Sequence, residues 1–247
     1  MCVNARASEL NPSSAVGHLA SQATATNHNH RDGDLRVPFV KDDSTQCKGK
    51  SHWEVFLSGV YFGWGGTDAH DADSGLLGTT RECGILNVVG VALKFGDRNR
   101  FSLGAGFQFR NYRLTQGHRF ATATTGVTSI DLVNPTHEKP ASDLYSYTVQ
   151  FPLLYGKGFG KKFWVFAGGV MDWNCYAREY YQYSVDKTKY SESTRGLRQR
   201  KLTFDIVAGV TWNGIGAYFR YSPQPVFESG YGPKFDKTWM VGLALGF

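Results

Sequence analysis

The tightest constraint on this chain is a recurring two-residue alternation in which one face is large and apolar and the other is small or polar. Phe101, Leu103, Ala105, Phe107 and Phe109 alternate with Ser102, Gly104, Gly106, Gln108 and Arg110. Leu202, Phe204, Ile206, Ala208, Val210 and Trp212 alternate with Thr203, Asp205, Val207, Gly209 and Thr211, and Ile215, Ala217, Phe219 and Tyr221 with Gly216, Tyr218, Arg220 and Ser222. The last segment sets Trp239, Val241, Leu243, Leu245 and Phe247 against Met240, Gly242, Ala244 and Gly246, and another sets Tyr145, Tyr147, Val149, Phe151 and Leu153 against Ser146, Thr148, Gln150 and Pro152. Successive side chains of a β-strand point to opposite faces, so period two marks strands. A further strand over about Cys83 to Phe95 carries Ile85, Val89, Val91, Leu93 and Phe95 outward. Segments 53–64 and 163–175 are apolar on both faces, which leaves their facing open by one residue.

The composition of the minor face decides which side meets water. A soluble sandwich or a lipocalin-like barrel turns its apolar face inward, whereas a membrane barrel reverses the sense. Gly104, Gly106, Gly209, Gly216, Gly242, Ala244 and Gly246 are too small for a hydrated exterior and suit the crowded interior of an eight-strand barrel. The large face carries aromatics at strand ends (Trp53, Phe95, Phe101, Tyr112, Tyr155, Trp212, Tyr221, Trp239, Phe247), where an aromatic girdle meets the two interfaces. Connection lengths agree. Residues 65–80, 116–142, 178–199 and 223–236 are long, while 96–100, 157–161 and Asn213-Gly214 are short. Outer-membrane barrels alternate long outer loops with short periplasmic turns, and an even strand count leaves both termini in the periplasm. The expected fold is all-β: a closed, antiparallel, up-and-down transmembrane β-barrel of eight strands over residues 53–247.

Composition fits. No run approaches the ~20 apolar residues of a membrane helix, aromatics reach 15%, and glycine supplies 29 of 247 residues. The +6 net charge is spread through loops without a basic helix or motif, so nucleic acid is not expected as a partner. Cys2, Cys47, Cys83 and Cys175 form no CxxC pair, and no structural disulfide is expected. Residues 1–50 are polar, without period, and are expected to be disordered. Ala5-x-Ala7 has the small-residue spacing that precedes signal-peptide cleavage, which would place Met1 inside the end of a signal peptide.

Chemistry-bearing residues are few. Gln108, Arg110, Gln150, Asp205 and Arg220, with Glu54 and Lys94, face the lumen by parity, and charges in so narrow an interior must be paired. A polar network plugging the barrel is expected, with a narrow channel as the alternative. In the third long loop Arg195, Arg198, Arg200 and Lys201 are candidate contacts for glycolipid phosphates. Asp68, His70, Asp71 and Asp73 place oxygen donors at alternate positions, as a weak calcium-like candidate, and His28 and His30 make an HxH in the tail. His118 is the one histidine placed to serve a lipid-modifying hydrolase, but no nucleophile motif accompanies it. No catalysis and no cofactor are expected. The expected partners are outer-membrane lipid and, during insertion, the barrel assembly machinery.

Three short motifs carry a family resemblance. Gln150-Phe151-Pro152-Leu153-Leu154-Tyr155 resembles the (E/Q)-I-P-L-L-L motif in the fourth strand of the PorT-like outer-membrane β-barrel family, Phe219-Arg220-Tyr221-Ser222 its R-Y motif in the seventh, and Gly242-Leu243-Ala244-Leu245-Gly246-Phe247 its G-L-G-x-x-F ending. The resemblance covers about 53–247. Gln150 stands where Glu is common, and Ser222-Pro223-Gln224-Pro225 replaces the Gly-Leu that often follows the R-Y. It implies an outer-membrane location and barrel fold, not an activity. Pro152 cannot donate to a ladder, which predicts a bulge or a ladder ending near the periplasmic rim.

Overall fold

The computed structural model describes residues 51–67, 76–96, 98–160, 162–235 and 237–246. The tail of residues 1–50, the acidic cluster from Asp68 to Asp73 and the terminal Phe247 lie outside them. Twelve strands follow in order: β1 (His52–Phe56), β2 (Val60–Thr67), β3 (Leu77–Phe95), β4 (Asn99–Leu114), β5 (His118–Thr122), β6 (Thr128–Leu132), β7 (Glu138–Phe159), β8 (Phe163–Val185), β9 (Thr188–Arg195), β10 (Leu202–Trp212), β11 (Ile215–Ser222) and β12 (Thr238–Leu245). Eight of them close a ring, β2–β3–β4–β7–β8–β10–β11–β12 and back to β2, all antiparallel. β1 is the lower half of the first barrel strand. It pairs with β3 from His52↔Lys94 to Phe56↔Gly90 and is separated from β2 by a break at Leu57–Gly59.

The ring is inside out relative to a soluble barrel. Trp53, Phe62, Phe107, Phe204, Ile206, Phe219, Val241 and Leu243 lie exposed on the outer wall, and Gln108, Gln150, Asp205 and Arg220 are buried within. β10 spans 11 residues, matching the ~9–11 a tilted strand needs to cross hydrocarbon. The facing of the two ambiguous strands is now defined. Tyr61 and Gly63 of β2 point inward, with Phe62 and Trp64 outward, and Val170 and Asp172 of β8 point inward, with Trp173 outward. The interior is tight enough that glycine is required. A Cβ on Gly63 would lie 2.2 Å from the Tyr218 hydroxyl, and one on Gly242 would meet the Phe62 carbonyl oxygen at 2.1 Å.

Three expectations need correction. Tyr112 is not part of the girdle: it shares the parity of Arg110 and is buried inside the upper barrel. Pro152 causes neither bulge nor ladder end. Its pairing with Val170 is intact, and the β4–β7 ladder lacks only the pairs between Leu103↔Leu153 and Gly106↔Gln150, with no register shift. The bulges lie elsewhere, between Ile85 and Val89 of β3 and around Cys175 of β8. Finally, much of what looks like loop is sheet. β7 begins at Glu138, β8 runs to Val185 and turns back as β9, and β5 pairs β6. Above the hydrocarbon both faces of a strand can meet water, so the apolar alternation fades while the hydrogen-bonded ladder continues. At the opposite end the tight turn is Asn213-Gly214, with φ of 51° and 83°, as a type I′ hairpin demands.

Candidate functional site

Parity along each strand brings one buried charge cluster to the middle of the lumen. Arg220 on β11 donates from Nε to Asp205 Oδ2 at 2.5 Å, from Nη2 to Asp172 Oδ2 at 2.6 Å, and from Nη1 to Gln150 Oε1 at 3.1 Å and the Tyr61 hydroxyl at 3.3 Å. Arg110 on β4 donates to Glu82 Oε2 at 3.2 and 3.0 Å, to Asp205 Oδ2 at 3.1 Å, to Ser222 Oγ at 3.2 Å and to the Tyr112 hydroxyl at 3.3 Å. All five guanidinium donors of Arg110 are thereby engaged. Glu82 also accepts from Gln108 Nε2 at 2.7 Å and from the Tyr218 hydroxyl at 2.8 Å. Gln150 turns its amide to the Ile85 and Phe107 carbonyls. Gln108, Arg110, Gln150, Asp205 and Arg220, placed in the lumen from sequence, all lie in this network, whereas Glu54 and Lys94 pair with each other outside it at 2.7 Å.

Four members were not foreseen. Glu82 precedes the alternating part of its strand, although its parity with Gly84 places it inside. Asp172 sits in the strand whose two faces are both apolar, and only its register opposite Gln150 and near Asp205 gives it away. Tyr61 and Tyr218 look like ordinary strand aromatics in sequence, yet they meet edge to face at 5.4 Å and aim their hydroxyls into the cluster.

Apolar layers seal the cluster on both sides. Below it pack Tyr61, Leu86, Leu154, Val170, Val207, Tyr218 and Ala244. Above it the outer segments fold over the mouth and bury Tyr112, Leu114, Phe120, Leu144, Ala177, Leu197, Phe227 and Phe235. The Phe120 ring meets Phe235 edge to face at 6.0 Å, Thr128 N–H bonds the Tyr231 carbonyl at 3.0 Å, and Gln199 bridges Phe227. The cavities beside the network, about 20 and 10 Å³, are no larger than single waters need.

The outside has its own order. One row of outward residues crosses six strands in register: Trp64, Arg81, Asn111, Tyr145, Arg178 and Arg195. It lies one step above Phe62, Cys83, Phe109, Tyr147 and Tyr176, where the apolar wall ends. A groove of about 320 Å³ runs between the two rows, lined by Trp64, Arg81, Phe109 and Tyr147. Of the four candidate phosphate contacts, Arg195 belongs to this row. Arg198 stacks on Tyr231 at 4.4 Å, while Arg200 and Lys201 hold the crossing to β10 by backbone bonds to Val226 and Asn174.

Higher still, the β8–β9 hairpin carries an aromatic ladder. His137 stacks on Tyr183 at 3.7 Å, Tyr183 lies 5.1 Å from Tyr181 and 5.5 Å from Tyr190, and His137 Nδ1 is 2.8 Å from the Tyr181 hydroxyl. Beside it Glu179 accepts a bond from Thr122 Oγ1 at 2.9 Å, and burial pushes its carboxyl above the usual carboxylate range. His118 starts β5 with a buried Nδ1 that has no hydrogen-bond partner among the described residues. No group of three His, Cys, Asp or Glu able to hold a metal occurs among them. Cys83 and Cys175 are free.

No protein-family model and no curated protein matches the chain. Solved structures similar to it include two of one outer-membrane protein. One is Ail, the attachment invasion locus protein of Yersinia pestis, in complex with the heparin analogue sucrose octasulfate, at 14% identity and a TM-score of 0.31 over 81% of this chain and 99% of that chain. The other is Ail alone, at 13% identity and a TM-score of 0.24 over the same shares. Identities this low transfer no residue role.

Proposed function

We propose that the protein is a non-catalytic barrel of the bacterial outer membrane, of the PorT-like kind, whose role is surface binding of the adhesion type. The observation that carries this is the doubly sealed lumen. With the interior filled by a charge network between two apolar layers, the surfaces left for a ligand at the outer end are the paired cap and the hairpin above it. Residues 178–201 hold seven Lys or Arg against three Asp or Glu, a net +4, and the exposed Tyr190 and the Tyr183–His137 stack offer flat faces between those charges. Such a surface suits an anionic glycan, with salt-sensitive attraction and aromatic contact. The test is adhesion of cells displaying the barrel to immobilised heparin. Lys187→Glu with Lys189→Glu should weaken it several-fold, and rising salt should weaken the unaltered protein. Unchanged adhesion refutes the role of the hairpin. Discrete single-channel currents from the purified barrel in a planar bilayer refute the sealed lumen.

A second reading concerns the protein's own lipid. The in-register Arg81, Arg178 and Arg195 stand where the apolar wall ends, which is the height of headgroup phosphates. We infer contact with phosphorylated glycolipid of the outer leaflet. That lipid should raise the temperature at which the unboiled gel band is lost, and Arg81→Glu with Arg178→Glu should abolish the rise.

A further inference from the structure

The short-turn end of the barrel contains a chamber that the sealed lumen does not account for. It has a volume of about 320 Å³ and lies beneath the lower apolar layer, among Glu54, Phe56, Asn87, Arg100, Trp164 and Thr211. Its size falls at the lower edge of the range for small-molecule pockets.

Its electrostatics are unbalanced. Glu54 is shared by two cations. It lies 2.7 Å from Lys94 Nζ and 3.5 Å from Arg100 Nε, so the closer partner is the lysine. Among the described residues Arg100 is left with Nε and Nη2 both buried and without a hydrogen-bond partner, and Asn87 Oδ1 is in the same position. The Arg100 guanidinium carbon lies over the Phe56 ring, 4.0 Å from its centroid. That contact fixes its orientation without satisfying its donors. The central cluster described above leaves no arginine donor of Arg110 idle, so the contrast within one barrel is sharp. Among the described lining residues two cations stand against one carboxylate, a net +1, and Phe56 and Trp164 supply aromatic wall.

We propose that this chamber binds a small monoanion with a flat apolar body, of the aryl-carboxylate class. The carboxylate would accept from Arg100 Nη2 and Nε, and the aryl group would lie between Phe56 and Trp164. The arginine fork matches a carboxylate in two-point geometry, and a guanidinium already stacked on a ring loses little freedom on binding.

The probe is 4-phenylbutyrate, with its neutral amide as the control, titrated into the full-length barrel in lipid nanodiscs. The readout is the indole N–H resonance of Trp164, one of six tryptophans, identified by its absence in Trp164→Phe. The acid should give a saturable shift, and the amide should bind at least about tenfold more weakly. Arg100→Met should lose a similar factor, and Thr211→Trp should block binding by filling the space while leaving the charge. Both variants should retain the heat-shifted gel band. A flat titration with the acid, equal binding of acid and amide, or full binding by folded Arg100→Met each overturns the proposal. The acid–amide comparison uses the unaltered protein and decides the matter even where a variant fails to fold.

Discussion

Removing Arg220 should destabilise the barrel more than removing Asp205, although the two form the shortest ion pair in the lumen. The cluster holds three carboxylates, Glu82, Asp172 and Asp205, against two guanidiniums, Arg110 and Arg220. Asp205→Ala leaves two of each. Arg220 keeps its bonds to Asp172, Gln150 and Tyr61, and Arg110 keeps Glu82. Arg220→Met leaves three carboxylates facing one guanidinium and takes from Asp172 its only ion-pair partner among the described residues. Breaking a buried pair from one side costs ~3–5 kcal/mol. Asp205→Ala belongs near ~3 kcal/mol and Arg220→Met at ~5 kcal/mol or beyond. The double variant should cost less than the sum by ~1–3 kcal/mol, since the two share one interaction. With urea slopes of ~1–3 kcal/mol per M, these losses move an unfolding midpoint by roughly 1–5 M. The assay is reversible urea unfolding in lipid vesicles, followed by tryptophan fluorescence and the unboiled gel band, with Asp205→Asn as a same-shape control. Additive effects, or a larger loss for Asp205→Ala than for Arg220→Met, would refute the charge count.

Leu243 is 54% exposed at mid-strand on the outer wall, so Leu243→Arg should cost ~2–4 kcal/mol in the same vesicle titration, and a tolerated arginine there would sink the lipid assignment of that face. Gly242→Ala should fail on the other face, because its Cβ would lie 2.1 Å from the Phe62 carbonyl oxygen and 2.6 Å from the Tyr218 ring; the expected result is a reduced yield of folded band, and normal folding would contradict the packed interior. Glu179 stands above the apolar wall with its folded pKa raised by burial. The folded cap therefore binds that proton more tightly than the unfolded chain does, so its stability is highest below the usual carboxylate range and falls as pH rises through the raised value. Amide exchange at Thr122, corrected for intrinsic rates, should show that loss, Glu179→Gln should flatten it, and the opposite slope would be fatal to the idea.

How much of this could be seen in the sequence depends on what each face touches. β4, β10, β11 and β12 alternate clearly because one face meets lipid and the other the lumen, so Gln108, Arg110, Asp205 and Arg220 could be sent inward from parity alone. Asp172 could not, because Val170 and Phe166 share its side of β8 and make both faces apolar. Glu82 lay just outside the alternating run. The bulges at Cys175 and beyond Ile85, and the break at Leu57–Gly59, leave no side-chain signature, because the extra residue is accommodated by backbone geometry. The outer hairpins were mistaken for loops because their ladders stand in water on both sides. The Arg100 chamber depends on Glu54 choosing Lys94 over Arg100, which spacing cannot show.

The charge cluster draws on seven of the eight wall strands: Tyr61 from β2, Glu82 from β3, Arg110 from β4, Gln150 from β7, Asp172 from β8, Asp205 from β10 and Arg220 from β11. The β3–β4 and β10–β11 hairpins each hold one ion pair of their own, Glu82–Arg110 and Asp205–Arg220, while Arg110–Asp205 and Arg220–Asp172 join strands of different hairpins. A barrel threaded into hydrocarbon one hairpin at a time would carry Asp172 of β7–β8 into a medium that cannot solvate it before its arginine on β11 arrives. The complete set of ion pairs therefore exists only once strands of separate hairpins have met. The β2–β12 seam, which runs from Thr238↔Thr67 to Ala244↔Tyr61, joins the two ends of the barrel. Contacts so distant along the chain form slowly. The same residues that plug the finished barrel thus tie its separate hairpins to one another across the lumen.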